Sequence, residues 1–165
     1  NNGIYQLTDF YIQFYHDFCS RHTTDEHFWE NSINSPKQNT WYGLAYERLC
    51  MAHIPQIKEA LGIQRIRTEY YSWRSKESVP AAQVDLIIER ADQIISLCEI
   101  KYSKGIYSLD AKEEERLRNR ITDFADETKV KEAVQLVLIT TYGLKDNAHS
   151  TEVNDRVVLD DLFKS

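Results

Sequence analysis

The sequence predicts an α/β fold in which one helix leads into three consecutive strands and a second helix leads into a fourth. Three observations carry this. A helical pattern over Asn39–Leu61 precedes three strand-like runs, Ile63–Trp73, Ala82–Glu89 and Gln93–Tyr102. The last two runs are separated only by Arg90-Ala91-Asp92, so they read as a hairpin. A charged helical pattern, Asp110–Glu127, then leads to the apolar run Ala133–Thr141. From residue 39 the order is αβββαβ, which calls for a mixed central sheet flanked by helices.

Each element has its own local warrant. Ile4–Leu7 is a short β-like stretch, and Thr8-Asp9 offers an N-cap for Phe10–Cys19. In that segment Phe10, Phe14 and Phe18 recur at helical spacing and form an apolar stripe. Ser20–Gln38 is polar and carries Pro36; it reads as a loop with one helical turn near Phe28-Trp29. The helix over Asn39–Leu61 should break near Pro55 and stop at Gly62. Ile63–Trp73 is rich in β-branched and aromatic residues, as strands are. Ser75–Pro80 is a connecting loop. Leu117, Ile121 and Phe124 share one face of the Asp110–Glu127 helix. Arg156–Leu159 is a short late strand, and Asp160–Phe163 closes the chain as a turn.

The chain has 165 residues, room for one domain with a substantial core. With 42% hydrophobic and 28% charged residues it reads as globular. No apolar run approaches the ~18 residues that cross a bilayer, and the N-terminus lacks the basic and apolar regions of a signal peptide. Three scattered cysteines, Cys19, Cys50 and Cys98, fit a reducing compartment, so a cytoplasmic location is expected. The missing initiator Met suggests a fragment of a longer chain. A net charge of −6 counts against avid, non-specific nucleic-acid binding, although metal-site carboxylates themselves contribute negative charge.

The chemistry concentrates on the hairpin. Strand side chains alternate with period two, and Gln83, Asp85, Glu99 and Lys101 are all odd-numbered. A turn centred on Asp92 sets Asp85 opposite Glu99 and Gln83 opposite Lys101. Val84, Leu86, Ile88, Cys98 and Ile100 then fill one face, and Ile87, Ile95 and Leu97 continue the polar one. Strands apolar on both faces are central strands, and a carboxylate buried there is costly unless it is paired or holds a metal. Two adjacent carboxylates repel, which a divalent cation relieves. Asp85 and Glu99 therefore suit a hard ion such as Mg²⁺ or Mn²⁺, with the Ile100 carbonyl as a natural extra ligand. Lys101 points the same way and can orient a water or neutralise charge on a phosphate. Glu47 adds a third acid. It lies mid-stripe among Gly43, Leu44, Cys50, Met51 and Ile54, a face that would bury it needlessly unless it reaches the same cluster. Gly43, one turn earlier, permits close approach of backbone or substrate.

These residues resemble the PD-(D/E)XK nuclease superfamily, with Asp85 as first acid, Glu99-Ile100-Lys101 as the second half and Glu47 as the helix acid. Trp41–Cys50, Gln56–Gly62, Ala82–Ile87, Leu97–Lys101, Ile139–Leu144 and Leu159–Phe163 also resemble the C-terminal domain of a family of prokaryotic AAA-type ATPases. The resemblance implies a restriction-endonuclease-like fold over 39–165. Residues 1–38 are then an N-terminal extension or linker, with Tyr5–Phe10 as the exit from a winged-helix module that follows the ATPase. It further implies Asp85, Glu99 and Glu47 as metal ligands, Lys101 as a catalytic residue, Gln83 as a substrate-orienting residue, Mg²⁺ or Mn²⁺ as cofactor, and DNA as substrate. Relatives carry a Lys and an aromatic at the start of the helix after Lys101, where this chain has Ala111 and Glu113. No Walker A motif is present, so this chain is not expected to hydrolyse ATP. The alternative is a non-catalytic module that keeps the fold and binds nucleic acid or a protein.

Other motifs point to structure. Cys19-x-x-His22 has zinc-like spacing without a second Cys/His pair, and His16, His27, His53 and His149 read as loop or surface residues. Lys112, Arg116, Arg118 and Arg120 are interspersed with Glu113, Glu114, Glu115 and Asp123, as on a solvated helix face. Tyr70-Tyr71-x-Trp73 reads as packing on a sheet edge. Thr140-Thr141-Tyr142-Gly143 reads as a strand terminus.

Overall fold

A computed structural model describes residues 9–20, 24–78 and 81–164. The expected strand at Ile4–Leu7, Thr8 of the cap, His22 and most of the winged-helix exit segment lie outside these residues. The chain opens with α1 (Phe10–Phe14), continued by a π-helical turn, Tyr15–Cys19. Asp9 caps it by accepting the Ile12 N–H at 2.8 Å. After α2 (Phe28–Asn31) comes α3, which runs Pro36–Ala52 and so begins before Asn39. The earlier start follows from Ser35, whose hydroxyl accepts the Gln38 N–H, and from Pro36, whose fixed φ suits the first helical turn. The break expected at Pro55 is present: α3 ends at Ala52 and α4 spans Ile54–Ala60. Gly62, at φ +69°, ends α4 in the left-handed region that favours glycine.

Five strands follow, β1 (Thr68–Arg74), β2 (Gln83–Arg90), β3 (Ile94–Lys101), β4 (Ala133–Thr140) and β5 (Asp155–Val158). Helix α5 (Ala111–Thr128) lies between β3 and β4, and a 3₁₀ turn, Leu159–Phe163, closes the chain. The first strand is shorter than Ile63–Trp73. Ile63 is buried against the α3–α4 side of the core instead of pairing in the sheet. Strand order is β1-β2-β3-β4-β5, antiparallel across β1/β2 and β2/β3 and parallel across β3/β4 and β4/β5. The α/β class, the mixed sheet and the flanking helices match the expectation, consistent with a restriction-endonuclease-like core plus N-terminal helices.

The sheet is apolar on both faces. Leu86, Ile88, Cys98, Ile100, Val137 and Ile139 pack against Tyr46, Cys50, Ile54 and Ile57 of α3 and α4. Ile87, Ile95, Leu97, Leu136 and Leu138 pack against Leu117 and Phe124 of α5. Each fully buried aliphatic side chain contributes ~1.5–3 kcal/mol, so these two layers fix how α3 and α5 sit on β3. Asp110 starts α5 by accepting the Glu113 N–H at 2.8 Å, and Lys129, at φ 56°, ends it. Trp73 of the edge strand meets Phe124 edge-on, ring centroids 5.3 Å apart. Of the N-terminal stripe, Phe14 and Phe18 pack on Trp29 and Trp41, while Phe10 stays exposed. Among the described residues no helix is long and apolar enough to cross a membrane.

One expectation about the faces fails. Val84 joins Ile87 and Leu97 on the α5 side, not Leu86 and Ile88. The cause is a β-bulge. Tyr71 pairs with Ile87 and Trp73 with Val84, so Asp85 and Leu86 together oppose Ser72. Simple alternation holds above the bulge and is lost across it.

Candidate active site

The β2/β3 ladder runs from Arg90↔Ile94 to Leu86↔Cys98, in the register expected for a turn centred on Asp92. Asp85 and Glu99 come next along this register. The bulge falls on Asp85 and Leu86, so Asp85 sits where regular alternation along β2 breaks. Glu99 and Lys101 lie at the end of β3, where β4 pairs alongside through Leu138 and Thr140.

Glu99 is the centre of the site. It is 1% exposed, and a carboxylate so buried requires compensation. Two cations supply it. Lys101 Nζ stands 2.6 Å from Glu99 Oε1, and the Arg120 guanidinium of α5 donates to Glu99 Oε2. Arg120 is therefore not part of a solvated face. Arg116 and Arg118 are: Arg116 reaches Glu113, and Arg118 reaches Glu114 and Glu152. The difference lies in helical phase. Arg120 falls three residues after Leu117 and four before Phe124, on the buried stripe. That spacing was the available signal for a residue the charge pattern concealed.

Gln83 donates to Asp85 Oδ1 at 3.2 Å. Its amide thus serves Asp85 and not Lys101, its expected cross-strand neighbour, because the bulge intervenes. Burial, with the Glu99 charge second, raises the Asp85 pKa above the usual carboxylate range; the Gln83 amide, Arg120 and Lys101 oppose this. Glu47 enters from α3. Burial, then the Asp85 charge, pushes its pKa up to about 6; Lys101 opposes this and Glu99 adds to it. The three acids and Lys101 are thus one electrostatic unit drawn from α3, β2 and β3.

The two cations that hold Glu99 line separate grooves. One, of about 420 Å³, is lined by Gly43, Glu47, Ile100, Lys101 and Lys104 among others. The other, of about 840 Å³, runs along α5 and includes Gln83, Arg116 and Arg120. Lys101 grips Glu99 from the first and Arg120 from the second. The Lys101–Lys104 segment is held by Thr141, whose hydroxyl accepts the Ser103 N–H at 2.9 Å and donates to the Ser103 carbonyl at 2.6 Å. Gly143, at φ +92°, ends the β4 segment as expected.

As donors for a divalent ion, the acids fit in type: hard oxygens from three elements, two of them holding protons more tightly than usual because of burial first and neighbouring negative charge second. The cage is not preassembled. Among the described residues no three acidic, histidine or cysteine side chains stand close enough to hold an ion, and both Glu99 oxygens already carry a cation. Elsewhere, His27 pairs with Glu30 and His53 Nδ1 with the Leu49 carbonyl, both local contacts, and His149 pairs with Glu114 of α5. Tyr70 is exposed, while Tyr71 and Trp73 pack on the α5 side of the core.

No family model and no curated protein sequence matches this chain. A crystal structure of a protein of unknown function, AF1548, is similar at 15% identity and a TM-score of 0.47, over 69% of this chain and 64% of that one. The chain thus spans under two thirds of that neighbour's length.

Proposed function

We propose that this chain is a metal-dependent phosphodiesterase module that cleaves DNA, carried by the grouping of Glu47, Asp85, Glu99 and Lys101 around one buried carboxylate. Asp85 and Glu99 hold Mg²⁺ or Mn²⁺, with Glu47 as a third ligand. A bound divalent ion supplies a more acidic water and charge stabilisation at the phosphate. Lys101 orients the attacking water and offsets charge on the scissile phosphate. Gln83 holds Asp85 in place and faces the substrate side. The resemblance to AAA-type ATPases makes a winged-helix and ATPase module of the same parent chain the natural partners.

One observation favours a second reading. The Arg120–Glu99 pair completes the compensation of Glu99 without any ion, as a purely structural network would. In that reading the chain is a non-catalytic module that retains a nuclease-like fold and binds nucleic acid or protein.

Incubation with duplex, branched and single-stranded DNA in Mn²⁺ separates the two. The phosphodiesterase cuts at least one substrate. Asp85→Ala loses both cleavage and the Mn²⁺-induced rise in melting temperature, and Lys101→Ala loses cleavage while keeping that rise. Cleavage by Lys101→Ala at the native rate, or none by the native chain with its ATPase added, refutes the assignment.

A further inference from the structure

The groove over α3 has a feature that the roles of Glu47 and Lys101 do not use. Gly43 sits in the interior of α3, where glycine is among the poorest helix formers. Packing does not require it, because a Cβ built there meets nothing within 4 Å. The open space beside it is the 420 Å³ groove, within the ~300–1,000 Å³ range of small-ligand sites. Tyr102 forms part of its wall and is fixed by stacking on Tyr42, ring centroids 5.2 Å apart and planes 22° from parallel. At the rim, the Lys104 ammonium is held by the Asn34 side chain. Bare helix backbone, a fixed aromatic wall and the cations Lys101 and Lys104 thus face one space, with Glu47 as its acid.

We propose that this groove seats one nucleotide of a single DNA strand. Its base and sugar lie against the α3 backbone at Gly43 and toward Tyr102, and its phosphate is drawn between Lys101 and Lys104. Aromatic surface together with lysines is the chemistry that holds single strands without sequence preference. The groove, with α3 on one side and the Lys101–Lys104 segment on the other, has a volume of about 420 Å³. The assignment rests on the phosphodiesterase reading and names its substrate contact.

Anisotropy of fluorescein-labelled oligothymidylate, in EDTA and low salt, tests it on the native chain, Gly43→Ala, Gly43→Leu and Lys104→Glu. Kd should rise severalfold in Gly43→Ala and roughly tenfold or more in Gly43→Leu. Melting temperatures of both glycine variants should equal or exceed the native value, since Ala and Leu are better helix formers. Lys104→Glu should weaken binding and flatten its salt dependence. Unchanged binding in Gly43→Leu, a loss of binding that tracks a fall in melting temperature, or no oligothymidylate binding by the native chain overturns the proposal. Strand binding that depends on Gly43 without any cleavage supports the seat and removes the phosphodiesterase reading. Cleavage with unchanged Gly43→Leu binding does the reverse.

Discussion

Arg120→Met tests how the site manages its buried charge. Methionine keeps most of the side-chain volume beside Leu117 and Phe124 but removes the guanidinium. Glu99 is 1% exposed and then keeps Lys101 alone, at 2.6 Å. Breaking a buried pair by removing one partner costs ~3–5 kcal/mol. Lys101 remains, and Arg120 is itself 15% exposed, so the loss should fall near ~2–3 kcal/mol, the scale of one charged hydrogen bond. Urea unfolding followed by circular dichroism reads this as a lower midpoint at unchanged slope. In the proposed metal site, Arg120 and a divalent ion would compete for the same Glu99 oxygen. Millimolar Mn²⁺ should therefore raise the midpoint more in Arg120→Met than in the native chain, by RT ln(1 + [L]/Kd) with a smaller Kd. A variant as stable as the native chain without metal refutes the compensation argument. Equal Mn²⁺ shifts in the two proteins refute the competition.

Glu47→Gln should leave stability unchanged at pH 4 and raise it at pH 7. The folded-state pKa, pushed up to about 6, makes the fold favour the protonated acid, so stability is lost as pH rises from the unfolded value through 6. The gain is about 1 kcal/mol after allowing for solvent screening, and pH-dependent urea midpoints read it; a variant that is less stable at pH 7 contradicts the penalty that burial and the Asp85 charge place on ionised Glu47. Thr141→Val removes the contacts of its hydroxyl with the Ser103 N–H, carbonyl and hydroxyl and should cost ~1–3 kcal/mol, with faster amide exchange at Ser103; unchanged exchange there refutes the tether. Phe124→Ala empties the space under Trp73 and should cost ~3–5 kcal/mol in the same unfolding assay.

Element order was legible because each element obeys a local rule. Asp110 and Gly62 mark helix ends, the short polar turn after Glu89 sets a hairpin, and the apolar runs of β3 and β4 announce central strands. The register that sets Asp85 next to Glu99 followed from the turn alone. What escaped was where local rules are overridden by packing. Ile63 has strand propensity, yet the core beside α4 takes its side chain and the strand starts only at Thr68. The bulge at Asp85 and Leu86 arises from a mismatch with β1, a partner whose length the sequence does not state. Alternation therefore predicted the neighbours of Asp85 correctly on β3 and incorrectly on β2.

Arg120 teaches the more general point. The inward position of Glu47 was inferred from an acid interrupting an apolar helical stripe, and the same inference applies to Arg120 on α5. Arg116, Arg118 and Arg120 look alike in a list of charges, but on a helix of 3.6 residues per turn Arg118 lies about 200° from Arg120, and Arg116, about 40° from Arg120, is turned further from the buried stripe. Of the three, Arg120 lies nearest the phase of Leu117 and Phe124 and is the one that is largely buried. A cation in that phase must meet an acid on the sheet, and β3 offers one at Glu99. The two helices thus bring opposite charges to one carboxylate, Glu47 from α3 and Arg120 from α5. On the proposed function, an ion entering between them would relieve repulsion with Glu47 and Asp85 but would have to displace Arg120 from Glu99. Its apparent affinity would then be reduced to the fraction of molecules in which Arg120 has let go, and a phosphate in the α5 groove, by giving that guanidinium another partner, would restore it.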